Sequence, residues 1–195
     1  MIEFKAWGKT PRLFRDITIT EKIDGTNAAV IVTEDGEVGA QSRNRLITPG
    51  KTTDNYGFAG WVAEHEENLR GALGPGHHYG EWWGKGIARG YGVEDKQFSL
   101  FNTHRYAGIY AQTDGLIDHV PVLYQGPYSE DAIRDTLDDL RTLGSKAVWG
   151  YDNPEGVIVF HSASSQVYKV LLENDELPKG LVPYSERVIA ESKVA

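Results

Sequence analysis

A lysine two residues ahead of an Asp-Gly pair, set between two β-type runs, constrains this chain more than any other feature. The stretch is Thr20-Glu21-Lys22-Ile23-Asp24-Gly25-Thr26-Asn27. Ile17-Thr18-Ile19-Thr20 leads into it and Ala28-Ala29-Val30-Ile31-Val32 leads out. β-Branched residues fit a pleated, half-buried surface. Asp-Gly adds turn chemistry, because Asp bonds its own backbone and Gly accepts positive φ. The sequence therefore predicts a strand–turn–strand unit, a hairpin-like pair with Lys22 at the mouth of a sheet. A lysine held there becomes a nucleophile once it loses its proton.

Strands dominate the rest of the chain. Asp35-Gly36 marks a second hairpin, returning through Val38 to Ser42 and into Arg43-Asn44-Arg45. Thr48 to Asn55 has the composition of a loop. Phe58, Trp61, Val62, His65, Leu69 and Leu73 recur at three- and four-residue steps, which predicts one helix from Tyr56 to Leu73, stopped at Gly74. Further strands are expected at His77–Trp83, Phe98–Asn102, Val120–Tyr124, Gly156–His161 and Gln166–Leu172. The proline in the third of these suits a sheet edge. Gly84 to Gly92 reads as a loop, and a second helix opens at Ser129, its expected N-cap, and ends at Gly144. Strands that outnumber helices without regular alternation point to α+β with mainly antiparallel sheets.

The chain has 195 residues, the length of one domain with a real core. It has no cysteine, so no disulfide scaffold, thiol nucleophile or Cys-based zinc site. No apolar run is long enough to span a membrane, and residues 1–15 lack a signal-peptide core, which points to the cytoplasm. The net charge of −8 argues against coating nucleic acid by bulk charge but leaves room for a local basic groove. Adjacent His77 and His78 point to opposite faces of a strand, so they read as surface and core residues rather than metal ligands. By the same alternation, one of Trp82 and Trp83 belongs to the core. Asp138 and Asp139 read as a solvated helix face.

Lys22-Ile23-Asp24-Gly25 resembles the nucleophile motif of the covalent nucleotidyltransferases: DNA ligases, RNA ligases and mRNA capping enzymes. With Glu21 and Asn27 included, the stretch is most similar to ATP-dependent RNA ligases of the RNA ligase 2-like family. The DNA ligase and capping branches usually carry Arg where this chain has Asn27. The resemblance continues in chain order. Ser42-Arg43-Asn44-Arg45 resembles the motif whose arginine contacts nucleotide or phosphate, a role placed on Arg43 with Arg45 as the alternative. Tyr79-Gly80-Glu81-Trp82 resembles the one whose glutamate binds ribose hydroxyls. Phe98 to Asn102 resembles the one whose aromatic ring, here Phe101, stacks on adenine. Pro154-Glu155-Gly156 resembles the one whose glutamate lies at the lysine and metal, and Val167-Tyr168-Lys169-Val170 the one whose lysine contacts the α-phosphate.

The resemblance implies a nucleotidyltransferase fold, an ATP-grasp-like ligase adenylation domain of mainly antiparallel sheets flanked by helices. It implies Lys22, Lys169 and Glu155 as catalytic residues. Glu21, Asn27, Arg43, Glu81, Phe101 and Lys169 are the implied nucleotide contacts, with Glu155 toward a metal. The implied cofactors are ATP and Mg²⁺ or Mn²⁺. The implied partners are RNA ends, in a nicked duplex or a tRNA-like molecule, with an accessory nucleic-acid-binding protein to supply further contacts. The residue types suit these tasks. A free lysine has a pKa of about 10.4 and must lose its proton to attack. A carboxylate accepts bonds from two hydroxyls, and an arginine offers phosphate a planar fork.

Two departures stand out. The family commonly has a second lysine two residues from the one matched by Lys169, but Val167 and Leu171 are apolar. Little sequence follows the last motif, so residues 1–195 are expected to form a single minimal adenylation domain without a C-terminal OB or helical domain. The rival readings are a DNA-nick ligase, a non-catalytic module that binds nucleotide or nucleic-acid ends and, further off, a capping guanylyltransferase.

Overall fold

The structure, a computed structural model, describes residues 1–173 and Asp175. The tail beyond Pro178, to which the sequence gives no role, lies outside the described residues. The chain runs β1 (Asp16–Lys22), β2 (Thr26–Val32), β3 (Val38–Ser42) and β4 (Leu46–Ile47). It continues through α1 (Phe58–Glu64), α2 (Glu66–Leu73), β5 (Gly76–Gly84), β6 (Lys96–Leu100), α3 (Ile109–Gln112) and β7 (Asp118–His119). It closes with β8 (Val122–Pro127), α4 (Glu130–Leu143), β9 (Gly156–His161) and β10 (Gln166–Leu171).

These strands form two sheets, one ordered β10-β9-β1-β8 and the other β4-β3-β2-β5-β6-β7. Every pairing is antiparallel except β6 with β7. The fold is α+β with mainly antiparallel sheets, as the sequence predicts.

The expected hairpin around Lys22 does not form. β1 pairs with β8 and β9, whereas β2 pairs with β3 and β5, so Ile23-Asp24-Gly25 carries the chain from one sheet to the other. Gly25 does not adopt the positive φ of a tight hairpin turn. A Cβ there would lie 2.5 Å from the Trp82 carbonyl oxygen and 2.7 Å from the Trp83 Cβ. Glycine lets the crossover press against β5. The second Asp-Gly does form its hairpin: Gly36 has φ 89°, and Val32 lies opposite Val38.

The helices cover one face of each sheet. Ala28, Val30 and Val32 of β2 pack with Phe58, Val62, Leu69 and Leu73 of α1 and α2. The predicted single helix is broken at His65 (φ −108°, ψ 20°), although its apolar stripe runs across the break. On the four-stranded sheet, Ile17, Ile19, Val157 and Val159 pack with Leu137 and Leu140 of α4. The Ser129 hydroxyl caps α4 by accepting from the Ala132 N–H at 3.3 Å. A smaller cluster of Ile23, Trp83, Tyr91 and Val120 sits where the sheets meet. It corrects the expectation for the tryptophans, since Trp82 and Trp83 are both buried, in clusters on opposite faces of β5.

Candidate active site

Register sets the four-stranded side of the site. Lys22 lies opposite Gly156, and Thr20 lies opposite Ile158, which faces Lys169 across the next pair. Opposed residues share a face and strand positions alternate. Lys22 and Lys169 therefore stand on the same face, the one turned away from α4. Gly156 puts no side chain beside Lys22, and a Cβ there would meet the Val170 carbonyl oxygen at 2.2 Å. Glu155, just before β9, forms an ion pair with the Lys22 ammonium. Glu155 is buried and Lys22 half-buried, so the pair is shielded more than a surface bridge would be.

The six-stranded sheet supplies the other side. Asn27 lies opposite Glu81, and its Nδ2 donates to the Glu81 carboxylate at 2.9 Å. Burial pushes the Glu81 carboxyl up to about 7. The Lys22 ammonium, the Asn27 bond and the Gly25 amide pull it down, while the Glu155 charge pushes it further up. These couplings bring Glu81 into one electrostatic unit with Lys22 and Glu155. Phe101 lies one residue beyond β6 rather than within the predicted strand. Its N–H continues the ladder by donating to the Tyr79 carbonyl at 3.0 Å, and the residue is 43% exposed, an open ring at the end of β6.

Among the described residues, none of the remaining candidates is bonded to Lys22, Glu155, Glu81 or Asn27. Glu21 points to the opposite face of β1 from Lys22. Its buried carboxylate accepts from the Ser145 hydroxyl at 2.6 Å and from the Lys146 and Ala147 N–H groups at 2.7 and 3.0 Å. Arg43 and Arg45 are exposed in the bend between β3 and β4, and neither side chain has a hydrogen-bond or ion-pair partner among the described residues. Lys169 is exposed on β10 and is likewise unpaired among them. His78 is fully buried between the Tyr106 hydroxyl at 2.7 Å and the Gly74 carbonyl at 2.8 Å, and His77 is exposed. That bears out the core and surface reading of the two histidines.

Sequence reasoning missed Arg89 and Tyr91. Asp24 does not close a turn on its own backbone: its carboxylate accepts from Arg89 Nε at 3.1 Å, and its N–H donates to the Tyr91 hydroxyl at 3.0 Å. Both partners come from the glycine-rich loop after β5, whose composition announces only a loop.

Among the described residues, no group of three or more His, Asp or Glu side chains is arranged to hold a metal ion unaided. Glu155 beside Lys22 fits a divalent ion that takes most of its oxygens from phosphate and water, as Mg²⁺ does. No helix among the described residues is long and apolar enough to cross a membrane.

Known structures share this arrangement of sheets. One is Naegleria gruberi RNA ligase, as a mutant solved with AMP and Mn. It is 20% identical, with a TM-score of 0.58 over 82% of this chain and 50% of the other. A second mutant of that ligase, solved with ATP and Mn, is 17% identical with a TM-score of 0.59 over 83% and 51%. The chain thus spans about half the length of these proteins. At such identities the likeness establishes the fold. No curated protein sequence matches the chain. The model of one family, described as RNA ligase, matches residues 15–171, a span that includes Lys22, Glu81, Glu155 and Lys169. The chain is a member of the RNA ligase family.

Proposed function

We propose that this chain is an ATP-dependent RNA ligase that holds AMP covalently on Lys22 and seals 5′-phosphate to 3′-hydroxyl ends. The observation that carries the reading is the Lys22–Glu155 ion pair, electrostatically coupled to Glu81 across the junction of the sheets. The match of residues 15–171 to the RNA ligase family supports it. The Naegleria structures, solved with ATP or AMP and Mn, support ATP and a divalent ion, Mg²⁺ or Mn²⁺.

The residues divide by task. The four-stranded sheet presents Lys22, Glu155 and Lys169 to the phosphates. The six-stranded sheet presents Glu81 to the ribose hydroxyls and the Phe101 ring to the base, with Asn27 holding the Glu81 carboxylate in place. In the first step Lys22 gives up a proton, with Glu155 as the adjacent acceptor. Its Nζ attacks the α-phosphorus of ATP: an N–P bond forms, the P–O bond to the β-phosphate breaks, and pyrophosphate leaves. Lys169 offsets negative charge on the α-phosphate. A divalent ion held by Glu155 and phosphate oxygens would neutralise charge on the triphosphate. In the second step an oxygen of an RNA 5′-phosphate attacks the same phosphorus, the N–P bond breaks, and Lys22 regains its proton. In the third, a 3′-hydroxyl attacks the activated 5′-phosphate, loses its proton and releases AMP. Arg43 and Arg45, exposed in the bend after β3, are candidate cations for RNA phosphate, and Arg43 is our choice for that contact.

Sealing of labelled strands tests the reading. With ATP and Mg²⁺, a 5′-phosphate RNA is joined to a 3′-hydroxyl RNA, through an adenylylated 5′ end that accumulates when the acceptor lacks its hydroxyl. Sealing of DNA nicks in place of RNA would establish the rival ligase reading.

A further inference from the structure

The loop after β5 contacts the segments that flank the Lys22–Glu155 pair, without contributing to the pair itself. Its Arg89 donates through Nε to Asp24, two residues past Lys22. Through Nη1 it donates to the backbone oxygen of Asn153 at 3.1 Å and to its side-chain oxygen at 2.8 Å, two residues ahead of Glu155. One guanidinium thus bridges the segment that follows the lysine and the segment that precedes the glutamate.

The sheet sets the backbone of Lys22 opposite Gly156, and the Glu155 carbonyl accepts from the Leu172 N–H at 3.0 Å, but the segments beyond them are outside its ladders. The β1–β9 ladder ends at the Lys22–Gly156 pair. Past it, Ile23 to Gly25 leaves for the other sheet, and Asn153 and Pro154 belong to no strand. Among the described residues, Arg89 is the side chain that hydrogen-bonds to both departing segments. It is itself held firmly. Tyr91, two residues on, is buried, with its ring 4.5 Å from that of Tyr151 and 5.2 Å from that of Trp83. It shares a cluster with Ile23, the neighbour of Lys22, and its hydroxyl accepts the Asp24 N–H. Ala88 and Tyr91 adopt φ of 44° and 53°, left-handed values that residues with side chains keep only where their surroundings impose them. The Arg89–Asp24 pair is partly shielded, its side chains 20% and 29% exposed. A lysine could not replace it, because one ammonium on a flexible stem lacks the planar fork that reaches two acceptors at once.

We propose that Arg89 is a positioning residue for the adenylylation of Lys22, fixing the Lys22 segment against the Glu155 segment so that nucleophile and carboxylate meet the α-phosphate at a set distance. This rests on the reading of Lys22 given above. A displacement of about 1 Å between reacting groups costs on the order of 100-fold in rate, so loss of the bridge belongs in the rate of the chemical step rather than in nucleotide binding.

The test is single-turnover formation of the lysine–AMP adduct by the full chain, across ATP concentrations, for wild type, Arg89→Ala and Arg89→Lys, with thermal melts of each. The expected result is a rate at saturating ATP lowered by about 10- to 100-fold in both variants, with half-saturating ATP changed by less than about 2-fold and the variants folded at the assay temperature. Three results would overturn the proposal: an unchanged saturating rate in Arg89→Ala, a defect confined to half-saturating ATP, which makes Arg89 a phosphate contact, or full activity in Arg89→Lys, which makes charge sufficient. An adduct absent from the wild type removes the parent reading, whereas equal rates of adduct formation in wild type and Arg89→Ala remove this inference alone.

Discussion

Glu81 shows how one buried carboxylate couples fold to function. Burial raises its pKa from an ordinary 4.5 to about 7. In the nucleotide-free protein, the folded state then holds a proton that the unfolded chain releases. The stability linked to this group is present below about 4.5 and is lost as pH rises through about 7. On the proposed reading nucleotide binding runs the other way, since the charged carboxylate, with both oxygens free to accept, is the form that suits two ribose hydroxyls. ATP affinity should weaken as pH falls below about 7, toward tenfold per unit. Glu81→Gln should flatten both profiles, as read by denaturant melts and ATP titrations over that range. Lys22, Glu81 and Glu155 were legible through motifs that resemble a known family's, and in the structure Lys22 pairs with Glu155 and both act on the Glu81 carboxyl. The role of Asp24 was not, because an Asp-Gly that makes a turn and one that fits a crossover against β5 look alike until the neighbour of Gly25 is known. Arg89 left no trace, since its partners lie 65 and 64 residues away in sequence.

At the scale of elements, α4 illustrates what local pattern predicts well. Ser129, the stripe of Ala132, Ile133, Leu137 and Leu140, and the stop at Gly144 all come from near neighbours and are all observed. The helix backs the sheet face opposite Lys22, so it supports the site without touching it. Leu140→Ala should destabilise the protein by about 2–5 kcal/mol and Ser129→Ala by about 1 kcal/mol. Urea unfolding measures both, and lysine–AMP formation by the fraction still folded should be unaffected. Strand partners were less legible than strands. Alternation tells which face a residue occupies but not which strand lies beside it, and β1 takes its neighbours β8 and β9 from the far end of the chain. The break at His65 was hidden for a related reason, because the apolar stripe continues across it on both helices.

Across the whole molecule, the candidate groups are divided between the two sheets, Lys22 and Glu155 at one and Asn27 and Glu81 on the other, and the Ile23–Gly25 crossover connects them. We propose that the chain forms a single adenylation domain holding every group needed for the first step. The net charge of −8 sits badly with bulk attraction to RNA, so its ends would be held by local cations. Family membership rests on residues 15–171, but the covalent step rests on one amine. The most direct measurement is the intact mass of the full chain after incubation with ATP and Mg²⁺, beside Lys22→Ala, both first shown to be folded and free of bound AMP. The account predicts one AMP adduct on the wild type, stable to denaturation and absent from Lys22→Ala. A wild-type mass that does not change, or an adduct that persists in Lys22→Ala, would contradict it.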